Sequence, residues 1–456
     1  MQTPTTLACL LLLSQGVYAA EQQQQTEPKP QPCNELKNEQ KERCEALEHI
    51  EVKGQYIGIE VPEVIGRSYL NRDFINATPK GNGDINELIA LLPGVQLSNE
   101  AYSIGSLAEI SAPEISISGA QPWQTGFSLD GLNYNNRIDP ASSSRLSSSS
   151  DDVSGGVQSM NVNSDIVESI TVYDHNIPAE FGGFSGGIVD SKTKSVFANN
   201  SFSFGVRGNQ SSWGSYHFIE ADQDSSQQNV DQSTLEEPKY EKISYNLRAN
   251  KQINERHGLM MSVNYLTSDI SDLSLGEVKT QSRTNINAIV KYGYRNGWVD
   301  ALDLTLMYSP YEVDNFITDA KDSNFHLEGG AIGAVAALTE HFDFASWHSN
   351  LNFSMSDSSR EGPAHFYSWL QAKGKDWGQY ADQGDAQTRY SRQGGYGALD
   401  NTQYTTSWKN TLDFKTLEFA GTEHRIKAGI ELIRQEVERE RIQNSYSYDS
   451  PIIWSS

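Results

Sequence analysis

The 456-residue chain is poor in three things: cysteine, positive charge and long apolar runs. Its three cysteines, Cys9, Cys33 and Cys44, show no metal-binding spacing. The nine histidines are dispersed, without an i,i+4 pair or a Cys/His cluster, so the sequence offers no metal site. Lys and Arg total 35 against 59 Asp and Glu, a net charge of −24, and no basic run interrupts that balance. Nucleic-acid binding is therefore excluded as a leading reading. Hydrophobic content of 37% and a mean hydropathy of −0.55 would ordinarily mean a soluble protein. One membrane class escapes that inference. A transmembrane barrel alternates lipid-facing and lumen-facing side chains, so its strands never register as apolar runs.

A short apolar run, Leu10–Leu13, sits in the first twenty residues, with small residues at Val17-Tyr18-Ala19 and Tyr18-Ala19-Ala20. It is shorter than the roughly 20 residues a spanning helix needs, so residues 1–20 are expected to be an export signal. No Lys or Arg precedes the run, an irregularity for such signals. Cleavage would remove Cys9 and leave Cys33 and Cys44 as a candidate disulfide, the usual fate of a cysteine pair in an exported chain. Residues 21–32 are rich in Gln and Pro and read as a flexible lead-in, part of an extension over 21–49. Asn34 to Leu47 reads as a short charged helix.

From Ile50 onward the texture changes. Ile50-Glu51-Val52-Lys53-Gly54 is a short β-prone segment. Asp84 to Leu92 is the clearest helix: Asp84 caps it, Glu87 occupies the capping-box position, and Ile85, Leu88, Ile89 and Leu92 share a face. Pro93-Gly94 stops it. Short strands are expected over Glu114–Ser118, Gly126–Asp130, Ser169–Tyr173 and Gly187–Lys192. Asn133 to Asn163, rich in Ser, Asn and Asp, reads as a long mobile loop. Residues 50–194 thus form an α+β module of ordinary domain size.

After about Lys194 a period of two takes over. Phe202, Phe204 and Val206 alternate with polar residues, and so do Ile243, Tyr245, Leu247 and Ala249. The pattern returns at Leu259, Met261, Val263 and Tyr265, and at Ile286, Ala288, Val290, Tyr292 and Tyr294. Leu302 to Tyr308 and Leu351 to Met355 continue it, and Trp408–Phe414 with Ile426–Leu432 makes a last hairpin. Strands of about ten residues suit a tilted membrane crossing, whereas soluble strands are nearer five or six. Short turns (Asn254–Gly258, Arg295–Val299, Phe419–Glu423) alternate with long polar excursions over Asp222–Pro238, Asp269–Arg283, Glu312–Thr339 and Arg360–Asn401. One short rim and one long rim is a barrel signature. The fold class expected is an α+β plug domain followed by a transmembrane antiparallel β-barrel, over 195–456, incomplete in this chain.

Four segments together resemble the plug of TonB-dependent outer-membrane receptors. They are Asp84-Ile85-Asn86-Glu87-Leu88-Ile89-Ala90-Leu91-Leu92-Pro93-Gly94-Val95, Ile115-Ser116-Ile117-Ser118-Gly119, Gly126-Phe127-Ser128-Leu129-Asp130-Gly131-Leu132, and Val167–Tyr173 followed by Phe181-Gly182-Gly183-Phe184-Ser185-Gly186-Gly187-Ile188-Val189-Asp190. Each is weak alone; their order between an export signal and barrel-like strands carries the resemblance. The family more often has an Arg before the glycine at 119.

The resemblance implies an outer-membrane receptor, with plug and N-terminus on the periplasmic side. It imports a scarce ligand without covalent chemistry or a cofactor. Iron–siderophore complexes are the family's common cargo; carbohydrate, peptide and vitamin B12 are others. Its implied partners are that ligand, outer-membrane lipid and TonB with its inner-membrane energising complex, TonB pairing by strand addition with a TonB box. Ile50, Glu51, Val52, Lys53 and Gly54 are the best such segment here. Ligand contact is expected at plug apices, through Gln121, Trp123, Tyr134, Asn135, Arg137 and Phe184. Gly119, Gly131, Gly182, Gly183, Gly186 and Gly187 are expected to make the tight turns of the plug. The family's barrel has about twenty-two strands against about eight legible here, so a C-terminally truncated product or partial sequence is expected.

Two other functions compete. Gly183-Phe184-Ser185-Gly186-Gly187 matches the G-x-S-x-G elbow of hydrolases, which would make the protein an outer-membrane barrel enzyme. That elbow needs a helix after it, and Ile188-Val189-Asp190-Ser191 reads as strand. No Gly-Lys-Ser/Thr follows to make a phosphate loop. A ligand-sensing signalling receptor would need an extra folded domain of about eighty residues ahead of the TonB box, and 21–49 is too short.

Overall fold

The computed structural model describes residues 59–60, 66–79, 81–102, 107–138, 153, 156–214, 239–370, 374–375, 377, 379–383, 386–419 and 421–449. The export signal, Cys33 and Cys44, and the Ile50–Gly54 segment lie outside them. Residues Tyr56–Ser456 form one compact unit, which holds everything described below.

The first part is a small mixed module. Its strands are β1 (Ile59–Glu60), β2 (Arg67–Leu70), β3 (Val95–Leu97), β4 (Ile115–Ile117), β5 (Gly126–Leu129), β6 (Leu132–Asn133), β7 (Val167–Tyr173) and β8 (Ile188–Thr193). Six of them make one sheet in the order β1-β2-β7-β8-β5-β6, with β5 and β8 parallel and the remaining neighbours antiparallel. β3 and β4 pair separately. Helix α1 (Arg72–Ala77), not anticipated from sequence, is capped by Asn71, whose side chain accepts from the Phe74 N–H. Helix α2 is shorter than expected, Ile85–Ile89, although Asp84 caps it as anticipated. Glu87 does not close a capping box. Its carboxylate takes a hydrogen bond from the Asn82 backbone instead.

Leu70, Ile75, Ile85, Leu88, Phe127, Leu129, Ile170 and Val189 are buried together, which is why both helices present one apolar face. The Asn133–Asn163 loop is not a free surface excursion where it is described. Val157 to Asn163 are all buried, and two isolated bridges, Asn135–Gln158 and Asp84–Asn163, fasten the segment. Its many Asn and Ser side chains satisfy backbone groups in the interior, so polarity misled the sequence reading.

The second part is a strand wall with an elaborated rim. Its elements are β9 (Ser201–Gln210), β10 (Lys239–Gln252), β11 (His257–Ser274), β12 (Glu277–Arg295), β13 (Ala301–Phe316), β14 (Ala320–Lys321), β15 (Asn324–His341), β16 (Ala345–Glu361) and β17 (His365–Leu370). They continue with β18 (Gln379–Gln383), β19 (Ala386–Gly394), β20 (Asp400–Phe414), β21 (Leu417–Phe419), β22 (Thr422–His424), β23 (Lys427–Glu440) and β24 (Tyr446–Asp449). Nine form an antiparallel sheet, β9-β10-β11-β12-β13-β15-β16-β20-β23. β14, β17, β18, β19 and β24 build a smaller sheet from the long-loop rim.

The wall alternates as expected, with its greasy side outward. Leu259, Met261 and Tyr265 are exposed while Met260, Ser262, Asn264 and Leu266 are buried toward the plug. Leu306 is 63% exposed, between inward Thr305 and Met307 at 1% and 3%. A soluble sandwich would bury the greasier face; this sheet turns it out. Rings gather at the short-turn rim: Tyr294 stacks on Trp298, Phe342 on Phe344, and Phe344 meets Phe414. Such a girdle marks a membrane–water boundary.

Two expected excursions are instead strand. Asp269–Arg283 continues β11 and β12 around a turn at Leu275-Gly276, and Glu312–Thr339 holds the end of β13 and most of β15. Strands of up to 19 residues thus rise past the lipid on the long-loop side.

Candidate functional site

The site is the seam between plug and wall together with the plug turns beside it. It is polar. Lys291, on the inward face of β12, lies 3.2 Å from Asp130 at the β5–β6 turn and 3.7 Å from Asp303 on β13. Asp130 also accepts from the Thr193 backbone and hydroxyl, and Lys291 donates to the Thr193 hydroxyl at 2.9 Å. Burial pushes the Asp130 carboxyl up, but Lys291 and Thr193 outweigh it and hold the group below the usual carboxylate range. The Asn350 and Asn352 amides donate to the Asp130 and Gly131 carbonyls. Gly131 has φ +88°, and a Cβ there would strike Asn350, so glycine permits both the turn and the approach of the wall.

A second fastening lies nearer the long-loop rim. Glu109 accepts from its neighbours' N–H groups at Ile110 and Ser111, from Tyr311 Oη at 2.9 Å, and pairs with Arg283 at 3.3 Å. Burial raises this carboxyl too, and Arg283 with the three donors brings it down overall. Ser268 and Ser358 donate to the Ala108 and Val153 carbonyls, holding adjoining plug segments.

The third fastening is a strap, residues 174–187, between β7 and β8. Lys427 donates to both Glu180 carboxylate oxygens at 2.8–2.9 Å, and Lys409 donates to the Glu180 carbonyl and lies 5.0 Å from the Phe181 ring centre. Burial raises the Glu180 carboxyl, while Lys427 and Lys409 pull it down further. Three residues on, Arg137 Nη2 donates to the Gly183 carbonyl at 2.7 Å. Between strap, plug sheet and wall lies a cleft of about 600 Å³ lined by Asp130, Glu180, Phe181, Lys291, Lys409 and Lys427 among others.

The residues expected to touch ligand fall into two groups. Gln121 and Arg137 are exposed, Trp123 is 38% exposed, and Phe184 is half-buried. These are brought together: the Ser185 and Gly186 N–H groups donate to the Gln124 carbonyl, tying the Gln121–Thr125 turn to the strap that Arg137 holds. Arg137 N–H also donates to Gln403, near the long-loop end of β20. Tyr134 and Asn135 are placed elsewhere. Tyr134 is 1% exposed and packs on Phe127, and Asn135 bonds the Phe127 N–H and the Thr125 carbonyl. Both are buried, and the Asn135 carbonyl also accepts from Gln403 of the wall. They buttress β5.

The expected glycine turns resolve similarly. Gly119, Gly131 and Gly183 have positive φ. Gly186 and Gly187 do not; they are required for closeness, since a Cβ would lie 2.7 Å from Ala120 Cβ or 2.6 Å from Ile117 Cγ2. Around Gly182 there is open space, so nothing in the packing demands glycine. Asp130, Lys291, Glu109, Arg283, Glu180, Lys409 and Lys427 were not singled out in the sequence. Their signal was there in part: Arg283, Lys291, Lys409 and Lys427 fall on the inward parity of their strands, where a charge must meet a plug partner. No group of three or more His, Cys, Asp or Glu placed to hold a metal occurs among the described residues. Ser185 of the G-x-S-x-G match is followed by strand β8, not by the helix an elbow needs.

No protein-family model matches the chain. An Escherichia coli K12 protein described as uncharacterized protein YddB is 26% identical over 402 residues, 86% of this chain and 49% of that protein. The solved outer membrane transporter YddB from Escherichia coli superposes with a TM-score of 0.71 at 23% identity, covering 84% of this chain and 50% of that one. A mutant ferric enterobactin receptor from Pseudomonas aeruginosa gives 0.51 at 16% identity, over 82% and 50%. The ferric-catecholate import receptor Fiu of E. coli K12 gives 0.52 at 10% identity, over 85% and 53%. The chain spans about half the length of these relatives.

Proposed function

We propose that this chain, which has the plug-and-barrel fold of TonB-dependent outer-membrane receptors, serves energy-coupled import of a scarce ligand across the outer membrane. The observation that carries the reading is the seam itself. A plug meant only to block a pore would be sealed by apolar packing. Here apolar contacts of Met260, Ile289, Met307 and Val335 are joined by charge pairs and by wall amides bonded to plug carbonyls, and such polar bonds exchange with water at small net cost. A seam of that kind suits a plug that is pulled aside and returns.

In this reading ligand settles on the long-loop side against Gln121, Trp123, Arg137 and Phe184. Arg137 is the sensor of choice, because its guanidinium holds Gly183 and is itself exposed. Drawing Arg137 toward an anionic ligand releases the Gly183 carbonyl and loosens the middle of the strap between its ties at Glu180 and Gln124. TonB, pairing with Ile50–Gly54 on the periplasmic side, supplies the pull. Ferric siderophores are the cargo class proposed first, since two of the matched structures are named as ferric enterobactin and ferric-catecholate receptors. No covalent step is assigned to Ser185.

The test is uptake by a deletion strain complemented with the gene, offered a panel of ferric siderophores, sugars, peptides and vitamin B12. Uptake should depend on energised TonB, fall on the order of tenfold with Arg137→Ala, and survive Ser185→Ala. Accumulation indifferent to TonB, or abolished by Ser185→Ala, would overturn the proposal.

A further inference from the structure

Outward-facing residues of the wall follow a strict parity, and that parity runs on past the lipid. On β16 the odd positions Leu351 and Phe353 face out, while Asn352, Ser354 and Ser356 are buried. Beyond the strand, Ala364 and Phe366 are again buried and His365 is exposed, so β17 turns its odd residues the same way. On β23 and β24 the outward positions are even: Leu432 pairs with outward Trp408, and Tyr446 and Tyr448 stand opposite His365 and Tyr367.

This exposed face of the rim sheet should be polar. It is a ladder of rings. His365 and Tyr446 lie 5.1 Å apart at 14°, Tyr367 and Tyr448 4.8 Å at 13°, and Tyr367 and Trp369 5.1 Å at 4°. Trp377 meets Trp369 edge-on. Lys375 sits 4.0 Å over Trp369, and Lys321 lies 5.0 Å over Trp377. Tyr446 and Tyr448 remain 48% and 44% exposed on the last strand of this sheet among the described residues. The inner face is already occupied, Phe366 packing on Tyr396. His365, Tyr446 and Tyr448 are exposed and Tyr367, Trp369 and Trp377 half-buried, and a cluster of rings reaching solvent in this way marks a binding surface.

We infer that this ladder docks the sugar chains of the glycolipid that forms the outer leaflet around the barrel. Height and continuity choose that occupant. The short-turn girdle at Phe344 marks one membrane boundary, and about ten residues of tilted strand cross the hydrocarbon. His365 lies some ten residues beyond that second boundary, on the same outward face that lipid covers below. What surrounds the protein there is saccharide. Stacked on one another, the rings turn edges and hydroxyls outward, where they meet the C–H groups and hydroxyls of sugars, and Lys321 and Lys375 suit the phosphates such chains carry. The inference needs the barrel to sit in an outer membrane but is independent of what it imports.

The test titrates the protein in detergent with deacylated core oligosaccharide from lipopolysaccharide, read by tryptophan emission and saturation-transfer NMR. Full-length core should give saturable binding, and core truncated to its innermost acidic sugars should give little. Tyr446→Ser with Tyr448→Ser should weaken binding on the order of tenfold. Lys375→Glu should weaken binding of phosphorylated core while leaving dephosphorylated core unchanged, which keeps the test readable if the double variant misfolds. Absence of saturable binding, or equal affinity of both variants for phosphorylated full-length core, would overturn the inference. Equal affinity for truncated core would do so too. Failure of ligand uptake would not bear on it.

Discussion

At the scale of single residues the seam is governed by a few buried charges. Lys291 is 7% exposed and Asp130 11% by side chain, so removing one partner strands the other in a poorly hydrated place. Lys291→Met should cost about 3 kcal/mol of unfolding free energy, the usual result of breaking a buried pair from one side. Chemical denaturation in detergent measures it. A loss within experimental error would mean that water already reaches Asp130. Gly187→Ala should cost about 1–3 kcal/mol for a different reason, overpacking against Ile117. Sequence reading found such glycines but credited all of them with unusual backbone angles. Tyr134 shows the opposite limit. An aromatic after a plug strand looks the same in sequence whether it points at ligand or into the core, and only the packing on Phe127 decides.

Fastenings of whole elements respond to pH with predictable sign. Asp130, Glu109 and Glu180 titrate lower folded than unfolded, so each contributes stability that is complete above the unfolded value near 4. That stability is lost as pH falls through the lower folded values. Acidification below about pH 4 should therefore raise hydrogen exchange in residues 107–112 and 178–187 before the wall strands respond. Simultaneous exchange of plug and wall would contradict separate fastenings. Lys194 behaves the other way. Burial, with Arg72 and Arg248 nearby, lowers it from 10.5 to about 7, so the unfolded chain holds more protons between those values. Stability should rise with pH above about 7, and Lys194→Met should remove that component of the pH profile.

Elements also show what was legible. The plug helix and strands were readable because capping residues, apolar spacing and glycine turns agreed with one another. Strand β15 was not. Its Gly329-Gly330-Ala331-Ile332-Gly333-Ala334-Val335-Ala336-Ala337 run carries small or apolar residues on both faces, so the period of two disappears. The reason is contact: a Cβ on Gly333 would lie 2.7 Å from Leu132 of the plug, and Val335 joins the plug core. The upper ends of β11 and β12 were hidden for another reason. Above the lipid both faces meet polar surroundings, and hydropathy no longer alternates.

At the scale of the whole molecule everything rests on which face of the nine-stranded wall meets lipid. Single cysteines at Leu304, Leu306 and Thr305, in a background with Cys9, Cys33 and Cys44 replaced by Ser, carry an environment-sensitive fluorophore in isolated outer membranes. Brominated lipid should quench the label at 304 and 306 strongly and at 305 weakly. Equal quenching at all three positions, or recovery of the labelled protein in the water-soluble fraction, would contradict the account.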